Sequence, residues 1–412
     1  MKNIAVLTTM YYPDMGAPSA VIDKYIQGLR SDYNFYIITK SYKSLEQFER
    51  LDNVRYISGF RHNVILRCEK NIANRRNIYL NKIVLFLINV YKLFATQISN
   101  PTANSWENRS YFNQLQRLND EVGIDCVISV SNTCFCQFAA QKFKRRHLSI
   151  KWLTFITDPF AENYIYYRYK LFPKLWHKIN SEREKSFYQE SDHNVMCEDM
   201  YRFASQILHI DTGKLSCFRF VLNDKYSDIV NTIKSDLNST IRLIYAGAVY
   251  RDIRNPEYML EVMSNIPEVV LDMYINSGEC EDILERYTKG NITRQGYAPK
   301  DRYDQMICCE YDILVNIGNI STLQTPSKTV DLLSTGKPIL NFYFSKDSQY
   351  DMIERYPLGL NIQNGEDCVV DKIRDFCVSM KGRRLSYDEV ERLYPENNLQ
   401  KQTELLRKII EA

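Results

Sequence analysis

Short apolar runs alternate with longer segments of helical period along most of this chain, and that alternation is the pattern of a parallel sheet covered by helices on both faces. The runs predict strands at Ile4–Leu7, Phe35–Thr39, Cys126–Val130, Leu153–Thr157 and Asn194–Met196 in the first half. In the second half they predict strands at Cys217–Val221, Leu243–Ala246, Val269–Ile275, Asn291–Arg294, Ile313–Val315, Ile339–Phe342 and Leu360–Ile362. Two series of this kind predict an α/β fold of two Rossmann-like, doubly wound domains. The polar stretch from Asn223 to Asn238 lies between the series and sets the boundary between about 205 and 240. No internal repeat or low-complexity tract interrupts the pattern.

With 412 residues, 45% of them hydrophobic and 25% charged, the chain is long enough for two substantial cores, and disorder is excluded. Met1 to Thr9 enters a strand pattern directly, without a basic n-region or a long apolar h-region, so the expected location is the cytoplasm. The eleven cysteines include no C-x-x-C pair and predict reduced thiols, not a disulfide framework or a zinc site. No run reaches the roughly eighteen apolar residues of a membrane span.

Charge is unevenly distributed. Residues 1–200 hold 27 Lys and Arg against 19 Asp and Glu, and the rest of the chain is acidic. Arg61, Arg67, Lys70, Arg75, Arg76, Lys82 and Lys92 face a single acid, Glu69, and a second cluster gathers Lys142, Lys144, Arg145, Arg146 and Lys151. Such patches attract polyanions. No nucleic-acid-reading motif accompanies them, so an anionic membrane or a phosphorylated acceptor is the simpler partner and nucleic acid is not expected. The apolar stretch 83–94 follows the first cluster, and two readings fit it: a helix of 61–94 lying on the inner leaflet, or a helix buried against its own sheet.

Ligands of open α/β sheets bind outside the carboxyl ends of the strands, so the loops after strands carry the candidate site residues. The segment Thr325 to Ile339 reads as a helix whose start suits an anion: Pro326 in the first turn, then the Ser327 hydroxyl and the Lys328 ammonium. Asp331 lies one turn on and is placed to accept from a sugar hydroxyl, and Gly336 ends the helix. The plain alternative is a βα unit with an ordinary cap. After the first strand, Gly16 either lets a ligand approach the backbone or simply makes a turn; Val21, Ile22, Tyr25, Ile26 and Leu29 follow at helical spacing. Leu332 to Lys337 ends like a phosphate-binding P-loop, yet the first glycine is missing and Pro338 stands where Ser or Thr belongs.

Three of these segments together resemble the GT-B glycosyltransferases, of the family 4-like kind that builds bacterial capsular and O-antigen polysaccharides. They are the loop Tyr12-Pro13-Asp14-Met15-Gly16-Ala17, the strand end Tyr245-Ala246-Gly247 with Tyr250 to Pro256 after it, and the P-S-K-x-x-D-x-x-x-x-G-K-P element Pro326 to Pro338. The resemblance covers nearly the whole chain. It implies a GT-B fold of two domains facing a cleft: 1–210 for the acceptor, 211–390 for a nucleotide sugar linked to UDP or GDP, and a C-terminal helix, 391–412, packing back on the first domain. It further implies that Lys328 and Arg251 or Arg254 neutralise the leaving diphosphate without a metal or other cofactor, in keeping with the lack of any D-x-D triplet. Asp331 would bind the ribose, Gly247 and Gly16 would approach the donor phosphates, and Ser327 would add a hydroxyl.

The family's glutamate eight residues before Asp331 is Leu323 here, and the neighbouring Gln324 is the alternative sugar contact. A retaining transfer then follows from the family alone. An inverting one would need a base such as Asp14 or Asp158. The five histidines have no paired spacing and are not expected to act. The expected activity is transfer of a hexose or hexose derivative to a lipid-linked saccharide, and the rivals are a nucleotide-sugar epimerase and a non-catalytic nucleotide-sugar-binding scaffold.

Overall fold

The computed structural model describes residues 1–12, 15–40, 52–57, 60–98, 105–130, 134–163, 166–167, 170–230, 240–275 and 278–412. Pro13, Asp14 and most of the polar stretch, 231–238, lie outside them. The chain divides into two compact units, Met1–Phe218 with Leu399–Ala412, and Arg219–Asn398.

In the first unit the elements follow as β1 (Lys2–Leu7), α1 (Ala17–Leu29), β2 (Tyr33–Lys40), β3 (Val54–Ile57), α2 (Phe60–Ala73), α3 (Ile78–Ile98), α4 (Ser105–Val122), β4 (Cys126–Val130), α5 (Phe135–Lys144), β5 (Lys151–Ile156), α6 (Pro173–Glu190), β6 (His193–Met196), α7 (Glu198–Gln206) and β7 (Leu215–Cys217). The strands form a parallel sheet in the order β3-β2-β1-β4-β5-β6-β7. Ile4 to Leu7 of β1 are wholly buried because that strand is covered on both faces, which is why it reads as an unbroken apolar run. α1 buries the predicted positions Val21, Ile22, Tyr25, Ile26 and Leu29.

The second unit contains α8 (Lys225–Val230), β8 (Ile241–Ala246), α9 (Glu257–Ser264), β9 (Val269–Tyr274), α10 (Glu281–Tyr287), β10 (Ile292–Gln295), α11 (Lys300–Gln305), β11 (Ile313–Ile317), α12 (Lys328–Ser334), β12 (Ile339–Tyr343), α13 (Ser348–Arg355), β13 (Gly359–Gln363), α14 (Val370–Met380) and α15 (Tyr387–Leu393). Its sheet is also parallel, in the order β10-β9-β8-β11-β12-β13. In each sheet the winding reverses beside the first strand, between β1 and β4 and between β8 and β11. The last helix, α16 (Leu399–Glu411), belongs to the first unit. There Tyr25 donates to Gln402 (3.1 Å), Arg407 pairs with Asp32 (2.5 Å), and any Cβ on Gly28 would meet Thr403 at 2.7 Å.

Three expectations are corrected. β3 is an additional strand, too short and too interrupted by Arg55 to stand out. The strand expected at Cys217–Val221 is Leu215–Cys217, and it closes the edge of the first sheet, pairing with β6, where the sequence placed it in the second series. α12 starts at Lys328, two residues after Pro326, with Ser327 in a helical conformation before it and no side chain capping its end. Of the two readings of 83–94, full burial against the sheet does not hold, since Ile83, Phe86, Leu87, Tyr91 and Phe94 are exposed. No helix among the described residues is long and apolar enough to cross a membrane.

Candidate functional site

The chemistry of the second unit gathers at its switch point, where β8 and β11 release their carboxyl ends in opposite winding directions. β8 ends at Ala246 and leads into the turn Gly247-Ala248. Room is short there: a Cβ on Gly247 would lie 3.2 Å from the Lys328 Nζ and 3.3 Å from the Tyr245 hydroxyl. The Gly247 N–H donates to the Tyr274 carbonyl (3.1 Å), so this turn offers its closeness to a ligand and not that amide. The Ala248 carbonyl accepts from the Tyr245 hydroxyl (3.2 Å) and from Arg254 Nη1 (3.4 Å).

The two arginines that the sequence left as alternatives are separated by their partners. Arg254 donates through Nη2 and Nε to Asn319 Oδ1, at 2.9 and 3.2 Å. Asn319, just past β11 and buried, donates in turn to the Gln324 carbonyl (2.9 Å), so one side chain ties the loop after β8 to the segment that precedes α12. A backbone bond from Ile320 N–H to the Ile253 carbonyl (2.7 Å) reinforces the link. Arg251 instead makes an exposed ion pair with Asp282 (2.6 Å).

α12 is held by its second residue. Thr329, 1% exposed, donates to Gln349 Oε1 (2.8 Å), which also accepts from Asn316 (3.2 Å). Asn316 continues through Asn341 to Asn361 by bonds of 2.8 and 2.7 Å, along paired positions of β11, β12 and β13. A buried polar row of this kind fixes the helix start against the sheet.

Lys328 therefore has a determined position, yet its ammonium has neither an ion pair nor a hydrogen bond among the described residues. It lies over the rings of Tyr245 and Tyr303, 5.5 and 5.2 Å from their centroids. Burial lowers its pKa to about 7, Arg254 and Lys300 act in the same sense, and Asp331 opposes them. Tyr303, on α11, is the residue the sequence gave no reason to single out. Its hydroxyl oxygen is buried with no hydrogen-bond partner among the described residues. Burial, with the nearby Asp331 and Asp304 carboxylates, holds the phenol far above its ordinary pKa. Lys300 also lies over this aromatic group, 5.4 Å from the Tyr303 ring and 5.7 Å from that of Tyr226, and Tyr226 donates to Asp304 (2.8 Å). Asp331 thus sits in the field of Lys328, Tyr303 and Tyr226.

Two further candidates belong to the first unit. Gly16 precedes α1 with φ −78°, an ordinary value for any residue, and a Cβ there would stand in tight contact, 3.2 Å from that of Met10. Asp158 follows β5 and accepts from the Thr157 hydroxyl (2.8 Å), and burial raises its pKa against that hydrogen bond. The loop after it is fastened by the buried Glu184 carboxylate, which accepts from the Phe160 and Ala161 amides at 3.0 and 2.9 Å. Among the described residues no three His, Cys, Asp or Glu side chains gather as a metal site.

Neither the protein-family models nor the curated proteins searched match this chain. Solved structures do. Anabaena Alr3699/HepE in complex with UDP and glucose superposes with a TM-score of 0.66 at 9% identity, over 100% of both chains. A glycosyltransferase from Rickettsia africae ESF-5 gives a TM-score of 0.66 at 11% identity, covering 99% of this chain and 97% of its own. TarM gives 0.63 at 10% identity, over 100% of this chain and 99% of that one. Two parallel α/β sheets wound about a switch point, matched along their whole length by these structures, make this a chain of the two-domain, Rossmann-like GT-B fold.

Proposed function

We propose that this protein is a glycosyltransferase and that the diphosphate of its nucleotide-sugar donor binds at the switch point of the second unit. The observation that carries the reading is Lys328, a fixed, half-buried ammonium that makes no ion pair among the described residues, next to Arg254 and the narrow Gly247 turn. A nucleoside diphosphate supplies the missing negative charge. HepE, similar to this chain along its length, was solved with UDP and glucose and with UDP-glucose, which supports a uridine nucleotide as the first donor to try.

In the proposed reaction the bond between the sugar's anomeric carbon and the β-phosphate oxygen breaks, and its electron pair leaves with the nucleoside diphosphate. A new bond forms from the acceptor hydroxyl oxygen to that carbon. Lys328 and Arg254 stabilise the charge that develops on the leaving oxygen, in place of a metal. Asp331 accepts from the ribose hydroxyls, and Ser327 and Gln324 contribute polar contacts close by. In a retaining transfer the departing phosphate takes the acceptor proton; in an inverting one the base is Asp158, whose raised pKa makes it the stronger base. A lipid-linked saccharide as acceptor, a place in surface-polysaccharide synthesis and peripheral attachment to the inner leaflet complete the proposal.

Time-dependent release of UDP or GDP from a nucleotide sugar, in the presence of an acceptor extract, tests it. Binding without release would turn the reading to a nucleotide-sugar scaffold, and a free epimerised sugar would turn it to an epimerase.

A further inference from the structure

α3 is built inside out. Tyr79, Ile83, Phe86, Leu87, Tyr91 and Phe94 are each between 55% and 85% exposed. At 100° per residue these six occupy an arc of about 140°, and the span from Tyr79 to Phe94 is roughly 22 Å long. Asn81, on the opposite side of the helix, is buried. Its side-chain amide donates to the carbonyls of Arg76 (3.0 Å) and Asn77 (2.9 Å) and so fixes the turn between α2 and α3. Arg75 and Asn77 hold φ values of 54° and 45° in that turn, a left-handed geometry rare for side chains of this size. The hairpin is a shaped element with its oily side turned to solvent, where folded domains rarely expose a contiguous apolar face.

Its charge says what covers that face. Arg67, Arg75, Arg76 and Lys82 are exposed and make no ion pair among the described residues. Arg75 and Arg76 lead into the first turn of α3, and Lys82 borders the apolar arc one turn before Phe86. Glu69 is the one acid on the hairpin. A second copy of this chain would bring only matching cations to the same surface. A bilayer with anionic headgroups answers both features: acyl chains take up the apolar arc and phosphates meet the arginines. α3 is not long and apolar enough to span, so it would lie flat.

We propose that α3 lies in the headgroup–acyl boundary of an anionic phospholipid bilayer, with Phe86 and its neighbours inserted and the α2–α3 turn on the lipid phosphates. This deepens the peripheral attachment proposed above and rests on that reading for its purpose, while its test does not involve the donor site.

The test is co-sedimentation of the full chain with phosphatidylglycerol/phosphatidylcholine vesicles and with phosphatidylcholine alone, at low and high salt. The wild type should bind the anionic vesicles, and more weakly as salt rises. Ile83→Ser/Phe86→Ser/Leu87→Ser should lose at least about tenfold in partitioning, and Arg75→Ser/Arg76→Ser should lose the preference for anionic lipid. Absence of wild-type binding, or equal binding by the triple variant, overturns the proposal. So does a wild-type dimer in sedimentation velocity that the triple variant converts to monomer, since a second copy would then cover the face. Far-UV circular dichroism and thermal melting of the same preparations show that the variants are folded. Titration with UDP and GDP separates the two readings: vesicle binding without binding of either nucleotide leaves this surface standing and removes the donor site.

Discussion

Each end of α12 brings a lysine to a crowded place, and the two are used in opposite ways. Lys337, past the carboxyl end, is buried; its ammonium donates to the Tyr311 carbonyl, and its own carbonyl accepts from the Tyr356 hydroxyl (3.0 Å). Burial lowers its pKa to about 8, with Arg384 helping. Gly336 beside it has φ 71°, and a Cβ there would run into the Leu385 carbonyl at 1.9 Å, so this end of the motif is a packing joint. Lys328, at the other end, is held near pKa 7 against tyrosine rings and makes no hydrogen bond or ion pair among the described residues. A lysine with an acceptor is structure; a lysine kept without one, beside an orphaned hydroxyl, is a place for a ligand.

Substitutions at the two ends should part accordingly. Lys328→Ala should lower donor turnover by a factor of about 100 or more with little change in melting temperature, the scale of losing one charged donor to a transition-state anion. Turnover within a few-fold of wild type would erase the contrast. Lys337→Ala should do the reverse. With the Tyr311 carbonyl left buried and unbonded, stability should fall by about 2 kcal/mol in denaturant unfolding, while turnover per folded molecule stays close to wild type.

A proton should accompany the ligand at the Lys328 end alone. The free protein holds that ammonium at about pH 7, and a bound diphosphate raises the value, so binding takes up a proton once the pH exceeds 7. UDP affinity should then fall by up to about tenfold per pH unit above 7, and calorimetry in buffers of different ionisation enthalpy should register the uptake. Lys328→Arg, charged throughout, should bind with a flat profile. The same slope in Lys328→Arg would assign the proton elsewhere.

The smallest effect concerns Tyr303. Removing a buried, unpartnered hydroxyl by Tyr303→Phe should stabilise the free protein by about 1 kcal/mol and weaken donor binding by roughly tenfold. A variant that is less stable, or that binds donor equally well, would make Tyr303 an ordinary packing residue.

Much of this was legible in the sequence, for a physical reason in each case. β1 is covered on both faces and so appears as an unbroken apolar run, and Pro326 to Pro338 marks a helix and its left-handed end at Gly336, though not its start at Lys328. Arg251 and Arg254 could not be told apart, because three residues in a loop give no sign of which one meets Asp282 and which Asn319. Tyr303 is one tyrosine of 30, and only the fold carries it to a lysine distant in sequence. The apolar period of α3 was plain, but periodicity does not state whether a stripe faces the sheet or the solvent.

The most direct measurement is a calorimetric titration of UDP, then GDP, into wild type and Lys328→Ala with EDTA present. One nucleotide should bind the wild type with a dissociation constant of about micromolar, and Lys328→Ala should weaken it about a hundredfold. Equal binding by both proteins, or none to the wild type, would contradict a metal-independent donor site at Lys328.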